Sequence, residues 1–226
     1  MKNKLLNILK SIGIILLMLT FTSIFFSLLN INPINLTEKK YIFYLTISNI
    51  ILIVIYFLIY RKTIVDDFKN YVKDFSNNFT TGIKYWLIGF IIMIVSNSII
   101  TFILNKGLAG NEKEVRSYID SFPLFMMFNT VIYAPFTEEL TFRKSIKDAV
   151  NYKWIYVLIS GLIFGGLHII SYITNWNDLI YLIPYGSLGI AFALLYHKTD
   201  NIFSTITMHA MHNFLAVIVY LLGASL

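Results

Sequence analysis

Cysteine is absent from the 226-residue chain. That excludes disulfides, thiolate metal sites, a cysteine nucleophile and a lipidated cysteine, and it leaves the redox compartment open. Charge is the second scarcity: 13% of residues are charged, against about 25% in an ordinary soluble domain. In their place stand 57% hydrophobic residues and a mean hydropathy of +0.70, a composition that points to a polytopic membrane protein. There are no internal repeats, low-complexity tracts or Ser/Gly linkers, so residues 1–226 read as one domain. An H-E-x-x-H pair is also missing, which removes the metalloprotease spacing of two histidines one helical turn apart.

Seven apolar runs are long enough to read as spans: Ser11–Ile31, Tyr41–Tyr60, Tyr85–Leu104, Leu124–Phe142, Trp154–Ile173, Leu179–Tyr196 and Ile202–Leu222. The first follows Lys2, Lys4 and Lys10 as a secretory leader would, but no A-x-A-like site comes after it, so it is read as a retained span. Arg61-Lys62 stops the second. Between Thr63 and Lys84 the apolar positions recur every three to four residues among Asp and Lys, which predicts a helix lying in the interface plane. Residues 105–123, with Gly107 and Gly110, read as a polar loop.

The net charge of +6 gathers in short segments between the runs, so it is a topology signal rather than a nucleic-acid patch. With the N-terminus inside, the cytoplasmic segments hold 13 of the 18 Lys and Arg. The expectation is therefore an all-α, polytopic helix bundle of about seven transmembrane helices with a cytoplasmic N-terminus. Abundant Ile, Asn, Lys, Tyr and Phe fit an AT-rich bacterial genome, and hence a bacterial cell membrane.

The chemistry-bearing stretch is Pro135-Phe136-Thr137-Glu138-Glu139-Leu140-Thr141-Phe142-Arg143, at the end of the fourth run. A carboxylate at the centre of a membrane helix costs about 2.5–3.5 kcal/mol on insertion scales, so two in succession are retained for a use. On a helix Glu139 and Arg143 lie about 40° apart, the i, i+4 geometry of an ion pair, while Glu138 points about 100° away. Glu139 and Arg143 compensate each other and Glu138 is left to act. Pro135, lacking an N–H, is expected to kink the helix by releasing the Val131 carbonyl.

Few other polar groups fall inside the runs. His168 lies in the fifth, within Phe164-Gly165-Gly166-Leu167-His168, and His209, His212 and Asn213 lie in the seventh. A carboxylate beside an imidazole can take a proton from water and hand it to a leaving amine. A second imidazole and a carboxamide one turn apart can donate to an oxyanion. Such a set hydrolyses an amide without a Ser or Cys nucleophile. A divalent metal such as zinc is the alternative; it would draw on Glu138, His168 and His209.

Glu138-Glu139-x-x-x-Arg143, Phe164-x-x-x-His168 and His209-x-x-x-Asn213 resemble the three signature motifs of the CPBP (Abi) intramembrane proteases, which include CAAX prenyl endopeptidases and bacteriocin-processing or self-immunity proteins. Residues 195–202 resemble the usual lead-in to the third motif. The resemblance covers 124–222 and leaves 1–123 as a variable part. It implies that Glu138 and His168 activate water, that His209 and Asn213 stabilise the oxyanion, and that Glu139 pairs with Arg143; His212 is outside the motifs and reads as a core residue. The resulting expectation is an intramembrane endopeptidase acting toward the cytoplasmic side on a membrane-associated peptide or protein, with the lipid bilayer as its other partner and neither nucleic acid nor a disulfide partner. A non-catalytic immunity or peptide-binding membrane protein is the alternative, and a proton-coupled carrier a third.

Overall fold

The computed structural model describes residues 2–102, 105 and 107–223. The expected end of the third span at Leu104 and the loop cation Lys106 lie outside the described residues. The fold is all-α, and among the described residues there is no strand. Among the described residues ten α-helices follow one another: α1 Lys2–Leu28, α2 Glu38–Lys73, α3 Phe75–Phe102, α4 Gly110–Ser121, α5 Pro123–Phe128, α6 Ala134–Glu138, α7 Ile146–Ala149, α8 Lys153–Ile169, α9 Leu182–Thr199 and α10 Ile202–Leu221. Wider π turns at Asn129–Tyr133 and Glu139–Ser145 join α5, α6 and α7 into one helical run over residues 123–149.

Six of the described helical segments are long and apolar enough to cross a membrane: α1, α2, α3, α8, α9 and α10. The expected fourth span is present as the 123–149 run, divided into α and π pieces. A continuous 36-residue α2, bent at Tyr60, replaces the separate second span and interfacial helix. The helix ends at Lys73 instead of at Arg61-Lys62, and α3 starts at Phe75. The far end of α2 is held by α10: the Ile202 N–H donates to the Asp67 carboxylate at 2.9 Å, and Asn201 Nδ2 donates to the Asp67 carbonyl at 2.8 Å. The first contact satisfies the Ile202 N–H, a helix-start donor with no intrahelical partner, and the second ties the N-cap side chain of α10 to the backbone of α2.

Residues 105–123, expected as a loop, contain α4. Its Ile119 is buried beside Met126 of α5 and Val217 of α10, and burying one apolar stripe is what gives so short a helix its stability. Tyrosines fasten its polar side: Tyr172 to Glu114, Tyr185 to Asn111 and Tyr220 to Asp120.

The core gathers around residues 139–146. Leu140, Phe142 and Ile146 pack with Leu52 and Tyr56 of α2, Tyr156 and Phe164 of α8, Tyr196 of α9 and Ile202 of α10. Helix α9 is central, and small residues let α8 approach it closely. A Cβ added at Gly165 would stand 2.8 Å from the Gly186 nitrogen. Without a hydrophobic force between helices inside a bilayer, close backbone packing of this kind is what joins them.

Candidate active site

Position 139 opens a π turn, in which hydrogen bonds skip five residues and each residue turns the chain less than in an α-helix. Residues four apart then align slightly more closely than in an α-helix, and Arg143 reaches back to Glu139. Arg143 Nε is 3.0 Å from Glu139 Oε2, and Nη2 donates to Oε1 at 3.2 Å, with both side chains fully buried. The guanidinium also donates to Ser160 Oγ at 3.0 Å and lies over the Phe164 ring, 4.7 Å from its centroid. The expected pair is therefore the fully desolvated centre of the bundle.

Glu139 has a second partner that helix spacing within one segment could not reveal. His209 Nδ1 is 2.9 Å from Glu139 Oε1. An ionised carboxylate only accepts, so His209 donates through Nδ1–H. This fixes the ring and directs Nε2 toward Glu138, whose Oε2 is 4.0 Å away. That separation is too long for a direct hydrogen bond and leaves room for a water touching both. Glu138 Oε2 is buried and makes no hydrogen bond among the described residues. The two adjacent acids thus differ: Glu139 is paired with both Arg143 and His209, whereas Glu138 has no hydrogen-bond donor against its buried Oε2 among the described residues.

His168 is half-buried near the end of α8. Its Nδ1–H donates to the Phe164 carbonyl at 2.8 Å, leaving Nε2 as an acceptor. The ring lies against Phe164 on one side and stacks on Tyr185 on the other, with centroids 4.6 and 5.1 Å apart. Phe164 also meets His209 edge-on at 5.6 Å, so the two imidazoles flank one aromatic ring. Among the described residues His168 makes no hydrogen bond to Glu138 or His209. It lines a cavity of about 310 Å³ bounded by residues 107–110, Lys113, Tyr172, Thr174, Asp178 and Tyr181.

Asn213 shares α10 with His209, but its Nδ2 donates to the Thr130 carbonyl at 2.8 Å, so one of its two donors is committed to the backbone. His212 turns to α3, where it accepts from Trp86 Nε1 at 3.4 Å and meets the Phe90 ring; it is a packing residue. Glu138, His168 and His209 are not drawn together as a zinc ion would need, and no three metal-ligating side chains among the described residues converge on one point. Tyr185, Ser160 and Phe192, which lies 5.5 Å from the His209 ring, support the site and carry no sequence signal apart from their apolar runs.

The six apolar helices make the chain an integral membrane protein, and its similarity to known proteins places it among membrane peptidases. It belongs to the family described as Type II CAAX prenyl endopeptidase Rce1-like, which its residues 120–215 match. It is similar to "Putative membrane peptidase YdiL" of Bacillus subtilis (strain 168), 30% identical over 183 residues that cover 77% of this chain and 70% of the relative. It is also similar to "UPF0177 protein YbdI" of Lactococcus lactis subsp. lactis (strain IL1403), 22% identical over 193 residues that cover 82% and 99%. No solved structure matches.

Proposed function

We propose that the chain is an intramembrane endopeptidase of a bacterial cell membrane that hydrolyses a peptide bond of a membrane-associated peptide or protein, with Glu138 as general base. One observation carries this reading: Glu138 Oε2 is buried without a hydrogen-bond partner, 4.0 Å from an imidazole nitrogen whose ring is fixed from behind by Glu139 and Arg143. An unsatisfied buried carboxylate oxygen costs stability, and the site retains it as a proton acceptor.

Glu138, helped by the free Nε2 of His168, removes one proton from water, and the water oxygen bonds to the scissile carbonyl carbon. Protonated His209 donates through Nε2–H to the resulting oxyanion, and Glu139 holds its positive charge as a buried carboxylate holds the histidine of a serine-protease triad. The second N–H of Asn213 is a further donor for that oxygen. Glu138 then returns its proton to the amide nitrogen as the C–N bond breaks, releasing a carboxylic acid and an amine.

The test compares membrane peptides by mass spectrometry from host cells carrying the parent chain or Glu138→Gln, at equal membrane insertion. New peptide termini found only with the parent are expected; the same termini with Glu138→Gln would overturn the assignment. Protection or binding phenotypes that survive this substitution without any cleavage would favour the non-catalytic alternative.

A further inference from the structure

We infer that the site is entered from the extracytoplasmic side, so that its substrate is a polypeptide segment presented at the outer face of the membrane. The inference rests on the reading of Glu138 and His168 as catalytic residues. It replaces the cytoplasmic-side location expected from the sequence.

The bundle is more deeply buried on one side of the site than on the other. On the α7 side, residues 139–143 are all buried, as are Phe192, Leu195, Tyr196 and Ile202, and the cavity at that end touches Tyr196 but none of the site residues. On the α5 side the exposure changes. Thr130, Tyr133, Glu138, Gly166, Leu167, His168, Tyr185 and Asn213 are all only partly buried. The 310 Å³ cavity touching His168 lies at this end, and every wall comes from the 107–113 and 168–181 segments.

Helical rise agrees with this placement. His168 is 15 residues from Lys153, about 22 Å along the axis, and only four from Tyr172, about 6 Å. In a hydrocarbon core about 30 Å thick, it lies close to the face bearing residues 170–181.

Which face this is follows from charge. Of the two walls of the cavity, residues 170–181 contain no Lys or Arg and 107–113 contain Lys113, whereas the opposite end carries Lys144, Lys147 and Lys153 on one connection and Lys62, Lys69 and Lys73 on the end of α2. Arg143 gives no topology signal, because it is consumed by Glu139 in the core. Without it the bias is still 12 of 17 toward the α7 end, and clustered Lys and Arg stay in the cytoplasm. The α7 end is therefore cytoplasmic and the cavity at His168 opens outward.

The absence of native cysteine makes the test direct. Trp176→Cys, on the 3₁₀ turn Trp176–Tyr181 and away from the cavity wall, is expected to react with a membrane-impermeant maleimide on intact cells. Lys198→Cys, at the other end, should react only after permeabilisation. Asn177→Cys is a second probe if Trp176→Cys does not insert. Thr174→Cys stands at the cavity wall, and a charged thiol reagent added outside should abolish the cleavage found with the parent chain. The reverse labelling pattern, or cleavage by Thr174→Cys that external reagent leaves intact despite stoichiometric labelling, would overturn outward access. Cleavage by Glu138→Gln would instead remove the catalytic reading and leave the labelling pattern standing, so the two failures are distinct.

Discussion

Asn213 Nδ2 donates to the carbonyl of Thr130 at 2.8 Å, and no backbone group of its own helix is available to take its place. The Ala134 N–H is drawn to Asn129 by the π turn. The next residue, five on from Thr130, is Pro135, which has no N–H. The kink expected at Pro135 is thus absorbed by a wider turn, and the carbonyl that a neighbouring helix must satisfy is that of Thr130. One residue of the third motif repairs a defect created just before the first.

It follows that Asn213→Ala destabilises the protein by about 1–3 kcal/mol, the cost of leaving a buried carbonyl unsatisfied. Pro135→Ala restores an N–H within reach, so Asn213→Ala should cost less in that background. Denaturant unfolding in detergent micelles over the double-mutant cycle measures the coupling. Additive losses would show that the two residues do not share the carbonyl.

Replacing Arg143 by Lys is expected to be severe despite the retained charge. The guanidinium spans both oxygens of Glu139 and also reaches Ser160, a fork that an ammonium cannot reproduce. Removing one partner of a buried pair costs about 3–5 kcal/mol, and Arg143→Gln should approach that loss, with Arg143→Lys between it and the parent. A melting curve of each purified variant distinguishes them.

How much of this was legible beforehand depends on the range of the interaction. The pairing of Glu139 with Arg143 and the separate direction of Glu138 follow from turn geometry inside one segment, and both are present. The contact between Glu139 and His209 spans 70 residues, and no spacing encodes it. The helix at Gly110–Ser121 was hidden because its apolar stripe is only Val115, Tyr118 and Ile119, too short to stand out from a loop carrying two glycines. The extension of α2 past Arg61-Lys62 depends on Asp67 meeting the start of α10, a tertiary contact that overrides the local charge signal.

Tyr185 stacks on His168 at 5.1 Å with ring planes 23° apart, and its hydroxyl accepts from Asn111 of α4 at 3.4 Å. Tyr185→Phe keeps the stack, so kcat should stay within about twofold of the parent. Tyr185→Leu frees the imidazole to rotate and should lower kcat by about 10–100-fold, within the range that a positioned general base supplies. Initial rates on a synthetic peptide carrying the cleavage site found in host membranes measure the difference. Equal rates for the Leu and Phe variants would remove Tyr185 from the positioning of His168.

Gly165 and Gly166 are neighbours in sequence with opposite requirements. A Cβ at Gly165 would meet the Gly186 nitrogen at 2.8 Å and its Cα at 3.0 Å, so only separation of α8 from α9 could relieve it. At Gly166 nothing lies within 4 Å of an added Cβ. Gly165→Ala is therefore expected to destabilise by about 1–3 kcal/mol as an overpacked contact. Gly166→Ala should be neutral or stabilising by up to about 1 kcal/mol through helix propensity. The α8–α9 contact also sets the distance between His168 and Tyr185, three residues along one helix and one residue along the other. The Gly165 variant should therefore lose proteolysis even where it remains folded, and the Gly166 variant should keep it. Thermal unfolding paired with cleavage of the same peptide tests both, and a Gly165→Ala protein as stable and active as the parent would mean that the two backbones are not in contact.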